Sequence, residues 1–216
     1  VLSAVVRENG TGFVLRTPSR EYEGPYQMRL LGLHQAVNAS LALAVGARLG
    51  LHRQQLVSGL LACGPAAHRL RLLDLGGLLV LDDTYNANAD SMRAALDTAR
   101  QLPCLGRRLA VLGDMAEQGS QSSALHAEVG RYAAASGVQH LLAVGPMAAL
   151  YAQAARAVGN VEVDELPDGA AAADAVCALV RQGDLVLVKA SRVMQLEVVV
   201  EALEARLAEH PLHGAP

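Results

Sequence analysis

The chain has 216 residues, 52% of them hydrophobic and 18% charged, so it can bury a sizeable core as one large domain or two small ones, and global disorder is excluded. A net charge of −3 with no long basic run argues against a nucleic-acid-binding surface. Aromatics are 3%, with no Trp and one Phe, so Leu, Val and Ala must build the core. That composition suits parallel strands buried on both faces under Ala-rich helices. Cys63, Cys104 and Cys177 lie far apart without C-x-x-C spacing. They read as buried free thiols of a reducing compartment, and neither they nor the seven His suggest a metal site. Gly, Asn, Arg or His interrupts each apolar run, so neither a signal peptide nor a spanning helix is expected. The start at Val1 reads as a piece of something longer.

In chain order, residues 1–30 look like short strands and turns, with Asn9-Gly10 as a turn signal and weak alternation through Phe13-Val14-Leu15-Arg16. Gly32-Leu33-His34-Gln35-Ala36-Val37-Asn38 leads into an apolar helix ending near Gly50, and a shorter helix covers about 53–61. Gly64-Pro65-Ala66-Ala67 is a linker candidate. Beyond about Leu70, short apolar runs at 78–81, 109–112, 141–144, 161–163 and 185–188 alternate with helical stretches. These helices are expected from about Ser91, Ser123 and Met147, then over 169–181 and 194–208. Such alternation predicts an α/β fold with a mostly parallel, doubly wound, Rossmann-like sheet. The boundary is expected at residues 1–68 and 69–216.

Ligands of open α/β sheets bind outside the carboxyl ends of the strands, so the turns that follow the strands are the places to read chemistry. After Leu81 comes Asp82-Asp83-Thr84-Tyr85-Asn86-Ala87-Asn88. After Leu112 comes Gly113-Asp114-Met115-Ala116-Glu117-Gln118-Gly119. After Val144 comes Gly145-Pro146, and after Val188 comes Lys189-Ala190-Ser191-Arg192. Two acidic turns facing one basic turn suit a substrate carrying both an ammonium and a carboxylate or phosphate. In the basic turn, Arg192 offers a planar fork and Lys189 a mobile point charge. Each residue also has a bland reading: Asp82 and Asp83 end a strand, Asp90 or Ser91 caps a helix, and Lys189 and Arg192 neutralise acidic neighbours. Shared position favours the functional reading. His34 beside a helix start is weakly indicative. No G-x-x-x-x-G-K-[ST], G-x-G-x-x-G or G-x-S-x-G motif occurs, so nucleotide phosphates would be held mostly from outside this chain.

These segments, with Asp90-Ser91-Met92 and the strand ends Val111-Leu112 and Leu187-Val188, resemble the C-terminal signatures of the Mur ligases. Gly32-x-His34-Gln35-x-x-Asn38 and Arg69 resemble motifs of that family's central domain. The resemblance spans about residues 30–205. It implies the tail of a central ATP-binding domain over 1–68 and a Rossmann-like C-terminal domain over 69–216. It also implies a bacterial, cytoplasmic, ATP-dependent ligase of peptidoglycan precursor synthesis, acting on a UDP-N-acetylmuramoyl-tripeptide and D-Ala-D-Ala. A peptide carboxylate would be phosphorylated and then attacked by the dipeptide amine, with Mg²⁺ screening the triphosphate. No membrane or nucleic-acid partner is implied. The partner domains would be the missing N-terminal ones of the same protein.

By the same resemblance Asn38 contacts adenine, Arg69 the nucleotide phosphates and Asp83 the ribose hydroxyls. Lys189, Ser191 and Arg192 approach the reacting phosphate or the dipeptide, with Lys189 and Arg192 as the catalytic candidates. Tyr85, Asn86 and Asn88 shape the dipeptide site. The sequence departs from the family pattern at Gln35, His68, Ala89, Gln118 and Ala190, the second and last standing where Gly is common; Ala190 is expected to leave the basic turn less free. Two alternatives stand beside this reading: a sibling Mur-type ligase adding a different amino acid, and a non-catalytic Rossmann-like binding module.

Overall fold

The computed structural model describes residues 1–210 and Leu212. The chain divides into two compact units: residues 1–66 with 101–103, and residues 67–100 with 104–216.

In the first unit, β1 (Ser3–Arg7), β2 (Gly10–Leu15) and β3 (Gly24–Met28) form an antiparallel sheet in that order. The Asn9-Gly10 turn joins β1 to β2, with Gly10 at φ +133°. Phe13 opposes Tyr26 across β2 and β3, and their rings stack at 5.5 Å. Two helices follow, α1 (Leu33–Arg48) and α2 (Arg53–Ala62). Ala36, Ala39 and Leu43 recur on one face of α1 and close over Phe13, Leu15, Tyr26 and Met28, with Leu56 of α2 completing the core.

The second unit is a six-stranded sheet in the order β4-β5-β9-β6-β7-β8. Its strands are β4 (Arg71–Asp74), β5 (Leu79–Asp83), β6 (Arg108–Gly113), β7 (His140–Val144), β8 (Glu162–Leu166) and β9 (Leu185–Lys189). The helices are α3 (Ala89–Gln101), α4 (Ser122–Ala135), α5 (Ala148–Val158), α6 (Gly169–Leu179) and α7 (Glu197–Glu209). Only β4 runs antiparallel, hydrogen-bonded to β5; every other pairing is parallel. The expected doubly wound α/β sheet is therefore present.

β7 and β9 are buried along their whole length, and β5 and β6 apart from their first residues. Their unbroken Leu, Val and Ala runs are what a strand covered on both faces requires. β8 at the far edge is mostly exposed. The edge strand β4 was not anticipated: it has four residues, two of them half-buried leucines, too few for a periodic signal.

The cysteines are not buried as expected: Cys63 is exposed, and Cys104 and Cys177 are half-buried. Two helix ends also differ from expectation. α7 begins at Glu197, because Arg192–Met194 form a separate short 3-10 turn ended by Gln195 at φ +50°. α3 is capped by Asn88, not by Asp90 or Ser91: Asn88 Oδ1 accepts the Ser91 N–H at 2.8 Å, and Ser91 Oγ accepts the Asn88 N–H at 3.0 Å. The reciprocal pair satisfies two amide groups that a helix start leaves without partners. α4 and α5 cross in close contact at Gly130, where an added Cβ would lie 2.3 Å from the Tyr151 carbonyl oxygen.

Candidate active site

The chain leaves β5 for β6, continues outward to β8, and returns to insert β9 between β5 and β6. This switch in strand order brings the carboxyl ends of β5, β9 and β6 side by side, which is where open α/β sheets leave a crevice. Register aligns Asp83 with Lys189, and Lys189 with Leu112.

Successive strand residues point to opposite faces, so the adjacent acids Asp82 and Asp83 have different partners. Asp83 is 9% exposed and Lys189 2%. Asp83 Oδ2 accepts from Lys189 Nζ at 2.6 Å, and its Oδ1 accepts the Leu70 N–H at 3.1 Å. Lys189 Nζ also donates to the Asn86 carbonyl at 2.7 Å. Burial pushes the Asp83 carboxyl up and the Lys189 ammonium down, while their mutual attraction opposes both shifts. Lys189 is thus not the mobile point charge that a turn lysine suggests; its place in the interior of the sheet fixes it against a buried carboxylate.

Asp82 ties a different segment. Its Oδ1 accepts from Thr84 N–H at 3.2 Å and Thr84 Oγ–H at 2.8 Å, and its Oδ2 lies 2.9 Å from His68 Nδ1. The His68 carbonyl accepts the Tyr85 N–H at 3.0 Å. His68 has φ +59° and Leu70 φ +45°. The first value explains why Gly suits position 68: its backbone is left-handed, which costs a residue with a side chain. Asp82 and the Tyr85 amide hold the histidine in that conformation. Between these two strained residues, the exposed Arg69 guanidinium lies 4.0 Å over the Tyr85 ring.

Ser191 cross-links all three turns. Its Oγ accepts the Ala116 N–H at 2.8 Å and lies 3.2 Å from the Ala87 carbonyl, to which it donates, and its own N–H donates to the Asp114 carbonyl at 3.0 Å. The expected substrate ligand therefore has its hydroxyl engaged with backbone. Asn86 Oδ1 accepts the neighbouring Ala87 N–H at 2.8 Å. Arg192 is mostly exposed and pairs with Glu197 at 2.8 Å. Ala190 has an ordinary negative φ, so methyl in place of hydrogen brings no backbone strain there. Room for that methyl comes from Gly113, where an added Cβ would sit 2.8 Å from Ala190 Cβ.

Above these contacts lies an open cleft of about 560 Å³, lined by Tyr85, Asn86, Asn88, Glu117, Gln118 and Arg192 together with Ala87, Ala116, Ser191 and Val193. Five of the nine sequence-derived candidates, Tyr85, Asn86, Asn88, Ser191 and Arg192, are on its wall. Lys189 is bonded to the carbonyl of one wall residue, Asn86, and Asp83 to Lys189. Arg69 touches the cleft through Tyr85. Asn38 belongs to the first unit, where it is exposed on α1 and donates to Gln35 Oε1 at 3.1 Å.

Two contributors stand outside those nine candidates, although Asp114 belongs to an acidic turn that the sequence singles out. Asp114 Oδ1 accepts the Met147 N–H at 3.1 Å, linking the β6 and β7 turns; burial pushes its carboxyl up. His126, fully buried on α4, accepts the Met115 N–H through Nε2 at 3.0 Å. A solitary helical histidine has no spacing to flag it. Among the described residues no group of three or more His, Cys, Asp or Glu could hold a metal ion.

Residues 68–192 match the family described as Mur ligase, glutamate ligase domain. The chain is 37% identical over 195 residues to the UDP-N-acetylmuramoyl-tripeptide–D-alanyl-D-alanine ligase of Mycobacterium leprae, an alignment covering 82% of this chain and 38% of that protein. Among solved structures it resembles MurF from Acinetobacter baumannii, with a TM-score of 0.83, 28% identity, and coverage of 94% of this chain and 44% of the other. It shares its fold with MurF from Thermotoga maritima in complex with ADP, at TM-score 0.77 and 22% identity, over 96% and 46% of the two chains.

Proposed function

The chain belongs to the Mur ligase family, and from that premise we propose that it is the C-terminal part of the ligase joining D-alanyl-D-alanine to UDP-N-acetylmuramoyl-tripeptide with ATP. The convergence of the β5, β6 and β9 turns on one cleft carries this reading, since it places a cation and a carboxylate on the walls of a single small site. The pattern suits an amine attacking an acyl phosphate: Glu117 meets the dipeptide ammonium, Arg192 the negative charge at the reacting end, and Ala87, Ala116 and Val193 the methyl groups. The match to a ligase of the same name over four fifths of this chain supports the choice of dipeptide.

The peptide carboxylate becomes an acyl phosphate with ATP as phosphoryl donor. ADP leaves; the dipeptide ammonium gives up a proton, the free amine adds to the acyl carbon, and the tetrahedral adduct loses a second proton and expels phosphate as the amide forms. Negative charge grows at the adduct oxygen and the departing phosphate, and preorganised cations stabilise it. Arg192 faces that region directly, and Lys189 acts from beneath. With its two bonds to Asp83 and Asn86 placed, the Lys189 ammonium has one N–H left for an anion.

The second unit offers the nucleotide two contacts. Asp83 already accepts two hydrogen bonds, but a carboxylate has about four lone-pair sites, so ribose hydroxyls can still donate to it. Arg69, stacked on Tyr85, keeps its charge for phosphates. Asn38 is the adenine contact by family resemblance. The described residues do not fit Mg²⁺, so its ligands are assigned to the rest of the protein, along with the phosphate loop. The first unit then reads as the end of a central ATP-binding domain. Its exposed Val37, Leu41 and Val45 stripe on α1 supports that view, since such a stripe suits further packing. A nucleotide-linked substrate places the enzyme in the cytoplasm; among the described residues no helix is long and apolar enough to cross a membrane.

The test is phosphate release by the full-length protein. It should require ATP, the UDP-linked tripeptide and D-Ala-D-Ala together, whereas the 216-residue chain alone gives none. Turnover with a single amino acid in place of the dipeptide would assign a sibling ligase, and no turnover with any amine would leave a binding module.

A further inference from the structure

The β6 turn forms one wall of the cleft through Ala116, Glu117 and Gln118. Residues 114–118 have no helix or strand to hold them. A loop of this kind keeps one shape only if its backbone groups find partners. The Gly113 carbonyl accepts from the Tyr151 hydroxyl at 3.0 Å, the Met115 N–H donates to His126 Nε2 at 3.0 Å, and the Ala116 N–H donates to Ser191 Oγ at 2.8 Å. Two of these three partners, Tyr151 and His126, are fully buried rings in edge contact, 5.0 Å between centroids.

The tautomer of His126 follows from its two neighbours. Nδ1 lies 2.6 Å from the Ser122 carbonyl, one helical turn back, and 3.4 Å from the Ser122 hydroxyl, so the carbonyl is the nearer partner by 0.8 Å. A carbonyl only accepts, so Nδ1 carries the proton. In the neutral ring Nε2 is then bare, and that is the atom the Met115 N–H meets. An apolar residue of similar volume would fill the same space between α4 and α5. What the imidazole adds is an acceptor at a fixed height below the turn.

We propose that His126 is a positioning residue of the cleft: as the Nδ1–H tautomer it anchors the Met115 amide and thereby sets the wall formed by Ala116, Glu117 and Gln118 against the incoming amine substrate. The anchor stands on geometry alone; only the identity of the substrate rests on the ligase reading. His126 is not among the residues that line the cleft, so its effect passes through the turn it holds, by way of the Met115 amide.

Two measurements test this. Imidazole ¹⁵N shifts of the 216-residue chain should show the proton on Nδ1, and Met115 amide exchange should quicken about tenfold in His126→Phe, the scale of one lost hydrogen bond. His126→Gln, whose side-chain oxygen can reach the Nε2 position, should restore protection. In the full-length enzyme, His126→Phe should raise KM for the dipeptide about tenfold, the same loss expressed in binding, while KM for ATP stays unchanged and His126→Gln recovers the dipeptide value. A proton on Nε2, or unchanged Met115 exchange in His126→Phe, overturns the anchor; the tautomer result does not depend on either variant folding. An intact anchor with an unchanged dipeptide KM overturns the positioning role. If the wild-type enzyme shows no dipeptide-dependent turnover, the ligase reading fails instead, and the tautomer and exchange results still decide the anchor.

Discussion

The two ends of the six-stranded sheet carry the same device used in opposite ways. At the amino end Asp184, just before β9, pairs with Arg107, just before β6, at 2.7 Å. At the carboxyl end Lys189 of β9 pairs with Asp83 of β5 at 2.6 Å. Both acids are buried. Asp184 also accepts the Arg107 N–H at 2.8 Å and the Arg181 N–H at 3.0 Å, while Arg107 donates a further bond to the Leu179 carbonyl at 2.8 Å. Every partner there belongs to the local turns, so the pair is self-contained. At the carboxyl end the pair reaches outward: Leu70 and Asn86, which it holds, belong to segments around the cleft. At this carboxyl end burial pushes the Asp83 carboxyl up and the Lys189 ammonium down, against their mutual attraction. One end closes the sheet, and the other supports chemistry.

Breaking the amino-end pair should give the largest effect on stability. Asp184→Ala strands a half-buried guanidinium and the amides of Arg107 and Arg181, at about 3 kcal/mol. Thermal unfolding followed by circular dichroism should show a midpoint lower by on the order of 10 °C. A loss below about 1 kcal/mol would show that this end is not the structural one.

At the carboxyl end the effects should appear in kinetics. Asp83→Asn keeps the shape but removes the charge that would receive ribose hydroxyls, a change of about 1.5–3 kcal/mol or roughly ten- to hundredfold in KM for ATP. An unchanged KM in a folded variant would return Asp83 to a purely structural role. Arg192→Ala should lower turnover about tenfold, equivalent to about 1.4 kcal/mol of barrier. Its exposed pair with Glu197 contributes only about 0–1 kcal/mol to stability, so an equal fall in unfolding midpoint and activity would contradict a role at the reacting groups.

The smallest effect sharpens the comparison. Burial raises the Asp114 carboxyl, so the folded state holds its proton more tightly than the unfolded chain. That group's contribution is therefore most favourable below the ordinary aspartate range and declines as pH rises through that range to the raised value. Asp114→Asn keeps an acceptor for Met147 and should flatten this decline, gaining about half a kcal/mol or less at neutral pH after solvent screening. Stability curves measured from pH 3 to 7 check it; a steeper decline in the variant would reverse the sign.

Sheet order aside, the fold of the second unit was legible because β5, β6, β7 and β9 each contain a run of three or more apolar residues, as strands buried on both faces require. β4 was not, since four half-exposed residues at an edge give no period. The cleft was legible where side chains line it. It was illegible where backbone carries the contact: Ser191 joins three turns through Ala87, Asp114 and Ala116, and main-chain amides and carbonyls leave no mark on residue type. His126 and Met115 are neighbours only because α4 folds back beside the turn.

The close approach of β6 and β9 has a consequence for how this sequence can drift. At the ends of the two strands there is space for one methyl group, and Ala190 occupies it. Gly113→Ala should be refused while Ala190 is present; once Ala190→Gly has vacated the space, the end of the Leu196 side chain, 3.0 Å from the new Cβ, still has to give by a few tenths of an ångström. Neither step needs to alter the charged neighbours. The two positions thus form an exchange, in which the order of substitution decides whether a lineage passes through a damaged intermediate, and alanine can move from one strand to the other only by way of a glycine pair.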